Sequence, residues 1–283
     1  MLDLYINFKN SLQSLMRALE VAVNNAQNTD TAGYKNQKVT FKQVFREAIH
    51  SGTVVTNPMH TGSGIEVSRV DTDFSQGSVK PAGPLDVAIV GKGYFLVGDP
   101  KQNQFKRNGK FITDFNNQYI IDAEGEKVLG YKVDPNTGLP SDNKLVPIET
   151  NGEVDIGFID GGILVSNFNK AKTSNDISPT PMYRLALSLP RNESGLIQRS
   201  GVFQETASSG SRLNPGFSDS AISDQDLSGQ YGSIKAESLE GSNFDIAKIA
   251  LEMNLLQRSV SATQGVIDNV GKVLSGLMSK IGG

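Results

Sequence analysis

The feature that most constrains the fold is a periodic run close to the C-terminus. Ile246, Ile249, Met253, Leu256, Val260, Thr263, Ile267, Val270, Leu274, Leu277 and Ile281 alternate steps of three and four, and of these only Thr263 is not apolar. Such spacing predicts one long helix with a coiled-coil seam. Ser242 or Asn243 can cap it, and Asp245 lies where a negative charge favours the first turn. At about 1.5 Å per residue, a helix over 244–280 reaches roughly 55 Å. A helix of that kind cannot bury its stripe alone. The other heptad-like segment lies at the opposite end of the chain, where Leu12, Leu15, Leu19, Ala22 and Ala26 repeat the pattern until the turn formers of Asn28 to Gly33.

Pairing these ends turns the middle of the chain into an insertion. Within it, short apolar runs separated by Gly, Asn, Asp and Pro predict strands at Leu85–Val90, Tyr94–Val97, Tyr119–Ile121, Val128–Val133, Val154–Ile159, Ile163–Val165 and Arg184–Leu189. Residues 205–233 are rich in Ser and poor in large apolar groups, so an extended arm or flexible loop is expected there. The expected fold class is α+β: N- and C-terminal helices paired as a coiled coil, with an inserted all-β domain and extended connecting arms. The expected divisions are 1–33 and 236–283 for the helical domain, 34–75 and 205–235 for the connecting region, and 76–204 for the β domain.

Composition narrows the function. With 27 basic and 30 acidic residues the net charge is -3, which offers no broad attraction to nucleic acid or to an anionic membrane. Zero Cys leaves no disulfide and no thiolate nucleophile. No apolar run approaches the roughly 18 residues of a membrane span, and the start, Met1-Leu-Asp-Leu-Tyr-Ile-Asn-Phe-Lys, is not the pattern of a secretory signal peptide.

Catalytic patterns are weak throughout. His50 and His60 stand without thiolates and read as loop histidines. The Asp-Thr-Asp at 71–73 and the Asp-Gln-Asp at 224–226 lack the glycine and terminal glutamate of a calcium loop. The Gly-Lys pairs at 91, 109 and 271 lack the phosphate-loop context, and Gly91-Lys-Gly93 is expected to be a tight hairpin turn between two strands. Gly62-Ser-Gly64 is too short for a nucleophile elbow. No catalytic residue, metal or cofactor is expected, and an enzyme is the weaker reading of these residues.

Several motifs then carry a family resemblance. Asn24-Asn-Ala-Gln-Asn-Thr-Asp-Thr-Ala-Gly-Tyr-Lys35, which contains Asn28, Thr31, Gly33, Tyr34 and Lys35, resembles the signature after the first helix of bacterial flagellar rod and hook proteins. Gly62-Ser-Gly-Ile, Asp73 to Val79, Leu85 to Gly91 with Gly93-Tyr-Phe95, and Phe105 to Phe111 with Val128 to Tyr131 are similar to later motifs of that family, in its order. Leu239-Glu240-Gly-Ser242-Asn243-Phe-Asp245 and the pair Gln257-Arg258 resemble its C-terminal elements. Length, Leu185 to Leu196 and Phe203 to Gly210 are most similar to distal rod members, and the short stretch from Phe45 to Gly62 keeps proximal rod members open.

The resemblance implies a non-enzymatic, structural axial subunit of the flagellar basal body, exported unfolded by the flagellar type III apparatus and polymerised into a helical tube. Its partners would be further copies of itself, adjacent rod and hook proteins, the export apparatus and the surrounding ring proteins, without nucleic acid or membrane insertion. The expected self-assembly seam is Leu12, Leu15, Leu19, Ile246, Ile249, Met253, Leu256, Val260, Ile267, Val270, Leu274 and Leu277. A hook protein of the same family, or a surface adhesin on a coiled-coil stalk, is the alternative.

Overall fold

The computed structural model describes residues 2–50, 59–100, 102–142, 144–174, 178–199, 201–210, 213–220 and 230–281. The chain opens with α1 (Leu2–Gln27), β1 (Gln37–His50) and β2 (Met59–Thr72). It continues with β3 (Val79–Pro81), β4 (Val87–Val90), β5 (Tyr94–Asp99), β6 (Gln102–Lys106), β7 (Ile112–Thr113), β8 (Ile120–Ile121), β9 (Leu129–Lys132), β10 (Val146–Pro147), β11 (Ile156–Ile159) and β12 (Ile163–Ser166). Then follow α2 (Phe168–Thr173), β13 (Thr180–Leu185), β14 (Leu187–Ser188), β15 (Ile197–Arg199), β16 (Val202–Gln204), β17 (Ser233–Ala236), β18 (Ser238–Glu240) and α3 (Ile246–Ile281). The result is a mixed architecture with a helix toward each end and a β-rich middle.

Two compact units result. The first comprises Met1–Thr29, Asn36–Asp73 and Phe244–Gly283; the second comprises Asp30–Lys35 and Phe74–Asn243. In the first unit α1 packs against α3 and against the β1–β2 hairpin. Its buried positions, Ser11, Ser14, Leu15, Ala18, Ala22 and Asn25, step by three and four along one face. Ser11 Oγ accepts from Ile65 N at 3.2 Å, and Asn25 exchanges bonds with Gln37, donating Nδ2 to its carbonyl at 2.7 Å and accepting its N–H at 3.0 Å. Small and polar residues let α1 lie close to the sheet while satisfying backbone groups that water would otherwise serve.

The first part of the expected extended region is this hairpin, whose strands pair from Gln37↔Thr72 to His50↔Met59 with several register shifts. Its exposed ion pairs, Lys38–Asp73 at 2.6 Å and Lys42–Glu66 at 3.3 Å, contribute little each in solvent. The backbones of His50 and His60 lie on its strands, which corrects the expectation of loop positions; their side chains fall outside the description. The strands were not foreseen because polar residues on both faces erase the alternation that announces a half-buried strand.

The second unit is built on two five-stranded antiparallel sheets, ordered β10-β9-β13-β12-β11 and β14-β5-β6-β16-β15. Leu96, Val97, Phe105, Leu129, Phe158, Leu164, Leu185, Leu187 and Phe203 are among the side chains of its single core, and the Phe95 and Phe111 rings meet edge to face at 5.3 Å. Burial on both sides explains why β5 reads as an unbroken apolar run, Tyr94 to Val97.

The strand expected at Arg184–Leu189 is in fact two. Leu185 ends β13 opposite Gly130, whereas Leu187 begins β14 opposite Phe95, so the chain passes from one sheet to the other at Ala186. All three residues are fully buried, which is why the crossing leaves no polar mark in the sequence. Of the Ser-rich run, residues 211–212 and 221–229 lie outside the described residues, as does the Asp-Gln-Asp at 224–226. No described helix is long and apolar enough to cross a membrane.

Candidate functional site

Three motif segments distant in sequence meet inside the second unit. Lys35 sits in the extended stretch that leads into β1, Arg107 just after β6, and Glu240 at the end of β18. Lys35 Nζ lies 2.7 Å from Glu240 Oε1, and Arg107 Nε donates to Glu240 Oε2 at 2.6 Å. The side chains are 2%, 6% and 1% exposed for Lys35, Arg107 and Glu240, so the junction is dry.

A dry cation needs its remaining donors satisfied. Lys35 Nζ also donates to the Ser75 carbonyl at 2.8 Å. Arg107 places Nη2 on the carbonyls of Gly91 at 2.7 Å and Ile89 at 3.1 Å, and Nη1 on that of Gly93. The Glu240 carboxylate takes a third donor, Gly77 N, at 2.9 Å. One carboxylate thus serves two cations, and backbone carbonyls hold the residual positive charge. Burial pushes the Lys35 ammonium below its ordinary value, an effect opposed by Glu240. Burial, reinforced by Glu193, pushes the Tyr94 phenol well above the usual tyrosine range.

Glycines make the close approach possible. A Cβ on Gly77 would stand 2.0 Å from the Gly241 carbonyl oxygen, and one on Gly33, at φ +68, would stand 2.5 Å from Asn108 N. Gly33 N donates to the Glu240 carbonyl at 2.8 Å, and Asn243 donates Nδ2 to Ser75 O at 3.1 Å. The Gly91-Lys-Gly93 stretch does not form the hairpin expected of it: β4 pairs with β17 and β5 with β6 and β14. Its glycines, at φ +105 and +138, aim carbonyls at the Arg107 guanidinium instead.

Of the motif residues singled out in the sequence, Gly33, Tyr34, Lys35, Leu239, Glu240 and Asn243 are gathered at or beside this junction, with Ser242 adjoining. Asn28 instead bonds back to the Asn24 carbonyl at 2.9 Å at the end of α1, and the Thr31 carbonyl accepts from Tyr34 N at 3.3 Å. Gln257 and Arg258 are exposed on α3. Arg107 and Gly77 lie within the motifs Phe105 to Phe111 and Asp73 to Val79, where little in the sequence sets them apart. Their signal was faint, a charge between an apolar strand and a glycine.

The seam candidates lie on the paired helices of the first unit. Leu15, Ile249 and Ile267 are buried, and Leu12, Leu19, Met253, Leu256, Val260, Val270 and Leu274 are half-buried. Ile246 and Leu277 are 66% and 46% exposed. Beside that stripe α3 presents further apolar side chains to solvent: Leu251 at 63%, Leu255 at 56% and Val273 at 52%.

A third buried cation, Lys106, bonds the carboxylates of Asp122 and Glu124. A shallow polar depression lined by Asn116, Gln118, Tyr119, Glu149 and Asn151 has Lys127 Nζ 3.5 Å from the centre of the Tyr119 ring. Neither arrangement sets a nucleophile beside a base. The Glu240 carboxylate accepts from three donors, Lys35 Nζ and Gly77 N on Oε1 and Arg107 Nε on Oε2, and so ties three segments together.

Comparison with known proteins agrees with the motifs. Residues 88–156 match the family model described as the flagellar hook protein FlgE/F/G D1 domain. The flagellar basal-body rod protein FlgG of Bacillus subtilis is 26% identical over 279 residues, covering 95% of each chain. That of Agrobacterium fabrum is 26% identical over 268 residues, covering 91% of each. The flagellar hook protein FlgE of Borreliella burgdorferi is 27% identical over 127 residues, 42% of this chain and 29% of that one. By its motifs and by similarity along most of its length, the chain resembles the bacterial flagellar rod and hook proteins and is most like the distal rod protein.

Proposed function

We propose that this protein is a structural subunit of the flagellar basal-body rod, exported unfolded by the flagellar type III apparatus and polymerised into a helical tube that transmits torque from motor to hook. The supporting observation is the state of α3. Among the large apolar side chains of α3 that are described, only Ile249 and Ile267 are buried, while Leu251, Leu255, Val266, Val273 and Leu277 stand between 39% and 63% exposed. A single chain has no use for so much uncovered apolar helix. Burying each such side chain contributes about 1.5–3 kcal/mol, so neighbouring subunits closing over α3 would gain many kcal/mol.

A helical polymer needs two different faces on each subunit, in contacts that repeat without closing. In this reading the stripe Ile249, Met253, Leu256, Val260, Ile267, Val270 and Leu274 joins Leu12, Leu15 and Leu19 as a coiled coil within the subunit. Ile246, Leu277 and the exposed neighbours on α3 would meet other copies. Zero Cys suits a chain that crosses a narrow channel without cross-links. Adjacent rod and hook proteins, the export apparatus and the rings around the rod would be the partners. The matching hook protein covers less than half of this chain, which favours rod over hook.

Electron microscopy of basal bodies from a strain lacking the gene tests the reading. A missing hook with a truncated or absent rod supports it, and the point of truncation assigns the proximal or distal position. Intact rods and hooks would overturn it.

A further inference from the structure

The ionic junction forms one end of a cleft that receives a strand. Among the described strands, β4 pairs only with β17 and β3 only with β18. The incoming segment runs antiparallel to both, with Ser233–Ala236 opposite Val90–Val87 and Ser238–Glu240 opposite Pro81–Val79. Between the two pairings Glu237 turns the backbone at φ +47, and its carbonyl accepts from Ala82 N at 2.8 Å. Ile234 enters the core at 2% exposure, against Gly162, where an added Cβ would lie 2.6 Å from Ile234 Cδ1. By contrast, both five-stranded sheets consist wholly of strands between Tyr94 and Gln204. Their strand-to-strand pairing uses no residue of the incoming segment, which reaches them at the β11–β12 turn, where Gly161 N donates to the Ile234 carbonyl at 2.9 Å.

We propose that residues 79–90, with Lys35 and Arg107, form a receiving site for an extended peptide that ends in a carboxylate, and that segment 233–241 occupies it last, after the sheets have formed. Each feature of the segment meets one feature of the cleft. Ile234 fills the apolar recess, Glu240 neutralises two cations, and Gly77, lacking a Cβ, admits the carbonyl of residue 241. The segment arrives late in the chain, with Glu240 lying 133 residues after Arg107 and 205 after Lys35. Until it arrives, desolvating both cations is unfavourable, so the cleft stays open and wet.

For a subunit delivered from its N-terminus onward, the second unit would stay open through transit and close on delivery of its final segments. That consequence rests on the export reading above. The closure itself does not, because it is a property of the isolated chain.

Hydrogen exchange on the full-length protein, pulse-labelled during refolding, tests closure directly. The amides of 87–90 and 233–236 are expected to gain protection together, about tenfold later than those of β9, β12 and β13. In the native protein Glu240→Gln is expected to speed exchange about tenfold across 77–90 and 233–241, leaving β9, β12 and β13 unchanged. Simultaneous protection of β4 and β9, or a uniform rise in exchange across the unit in the variant, overturns the proposal. If the variant does not fold, the wild-type pulse experiment decides alone. Absence of rod defects in a deletion strain would overturn the functional reading and leave this result untouched.

Discussion

Arg107 and Glu240 stand 133 residues apart in sequence, yet Nε of the one donates to Oε2 of the other at 2.6 Å with both side chains buried. Removing one member of a dry ion pair strands the charge of the other, which is far costlier than replacing both. Glu240→Ala is therefore expected to destabilise the second unit by about 3–5 kcal/mol. Urea unfolding followed by tyrosine fluorescence measures this, and a loss below about 1 kcal/mol, the worth of an exposed pair, would show that the junction is solvated in solution.

The glycines of the chain divide by environment, and alanine substitutions should separate them. At Gly77 a Cβ would overlap the Gly241 carbonyl, so Gly77→Ala is expected to cost more than about 2 kcal/mol through forced backbone movement. Gly265, within α3, meets nothing within 4 Å of an added Cβ. Gly265→Ala should raise helix stability by about 0.5–1 kcal/mol. Thermal melts of the two variants should shift in opposite directions.

Alkaline pH should open the second unit. Burial raises the phenols of Tyr131 and Tyr231 to about 12 from 10.0, and those hydroxyls donate to the carbonyls of Pro215 and Asn214 at 2.9 Å and 2.7 Å. Burial also raises Tyr34 and Tyr183. A group whose folded value is raised contributes stability that is complete below pH 10 and lost as pH climbs through the folded value. Lys35, lowered by burial, acts in the opposite sense as pH rises toward 10.5, but it is one group against several. Stability measured from pH 9 to 12 should fall across that window; a flat profile would contradict the burial of these hydroxyls.

Substitutions on the first unit should distinguish folding from assembly. Leu15, at 8% exposure, belongs to the buried face of α1, so Leu15→Asp should lower helical content in the free subunit. Leu255, at 56%, has little to lose in the monomer, and Leu255→Asp should change its stability by less than about 0.5 kcal/mol. The same change should abolish polymerisation, as should Met253→Asp or Leu256→Asp on the seam. Circular dichroism reads the first effect and sedimentation of assembled rods the second; normal rods from Leu255→Asp would remove the exposed face of α3 from the interface.

Sequence alone determined the local features. The three-and-four spacing from Ile249 to Leu274 placed one stripe of α3, and among the described side chains of that helix those positions, with Gly271, are the buried and half-buried ones. Runs such as Tyr94 to Val97 and Ile163 to Val165 placed central strands, because a strand covered on both faces must be apolar at every position. Periodicity reports which face of an element is covered and is silent about what covers it. Tertiary structure decided the rest: that the chain changes sheets at Ala186, that β4 pairs with β17 rather than turning back on β5, and that Lys35, Arg107 and Glu240 share one dry junction. A charged side chain reads as exposed in any sequence. Only the arrival of an opposite charge and the right carbonyls from distant segments makes its burial tolerable, and that meeting is a property of the folded chain as a whole.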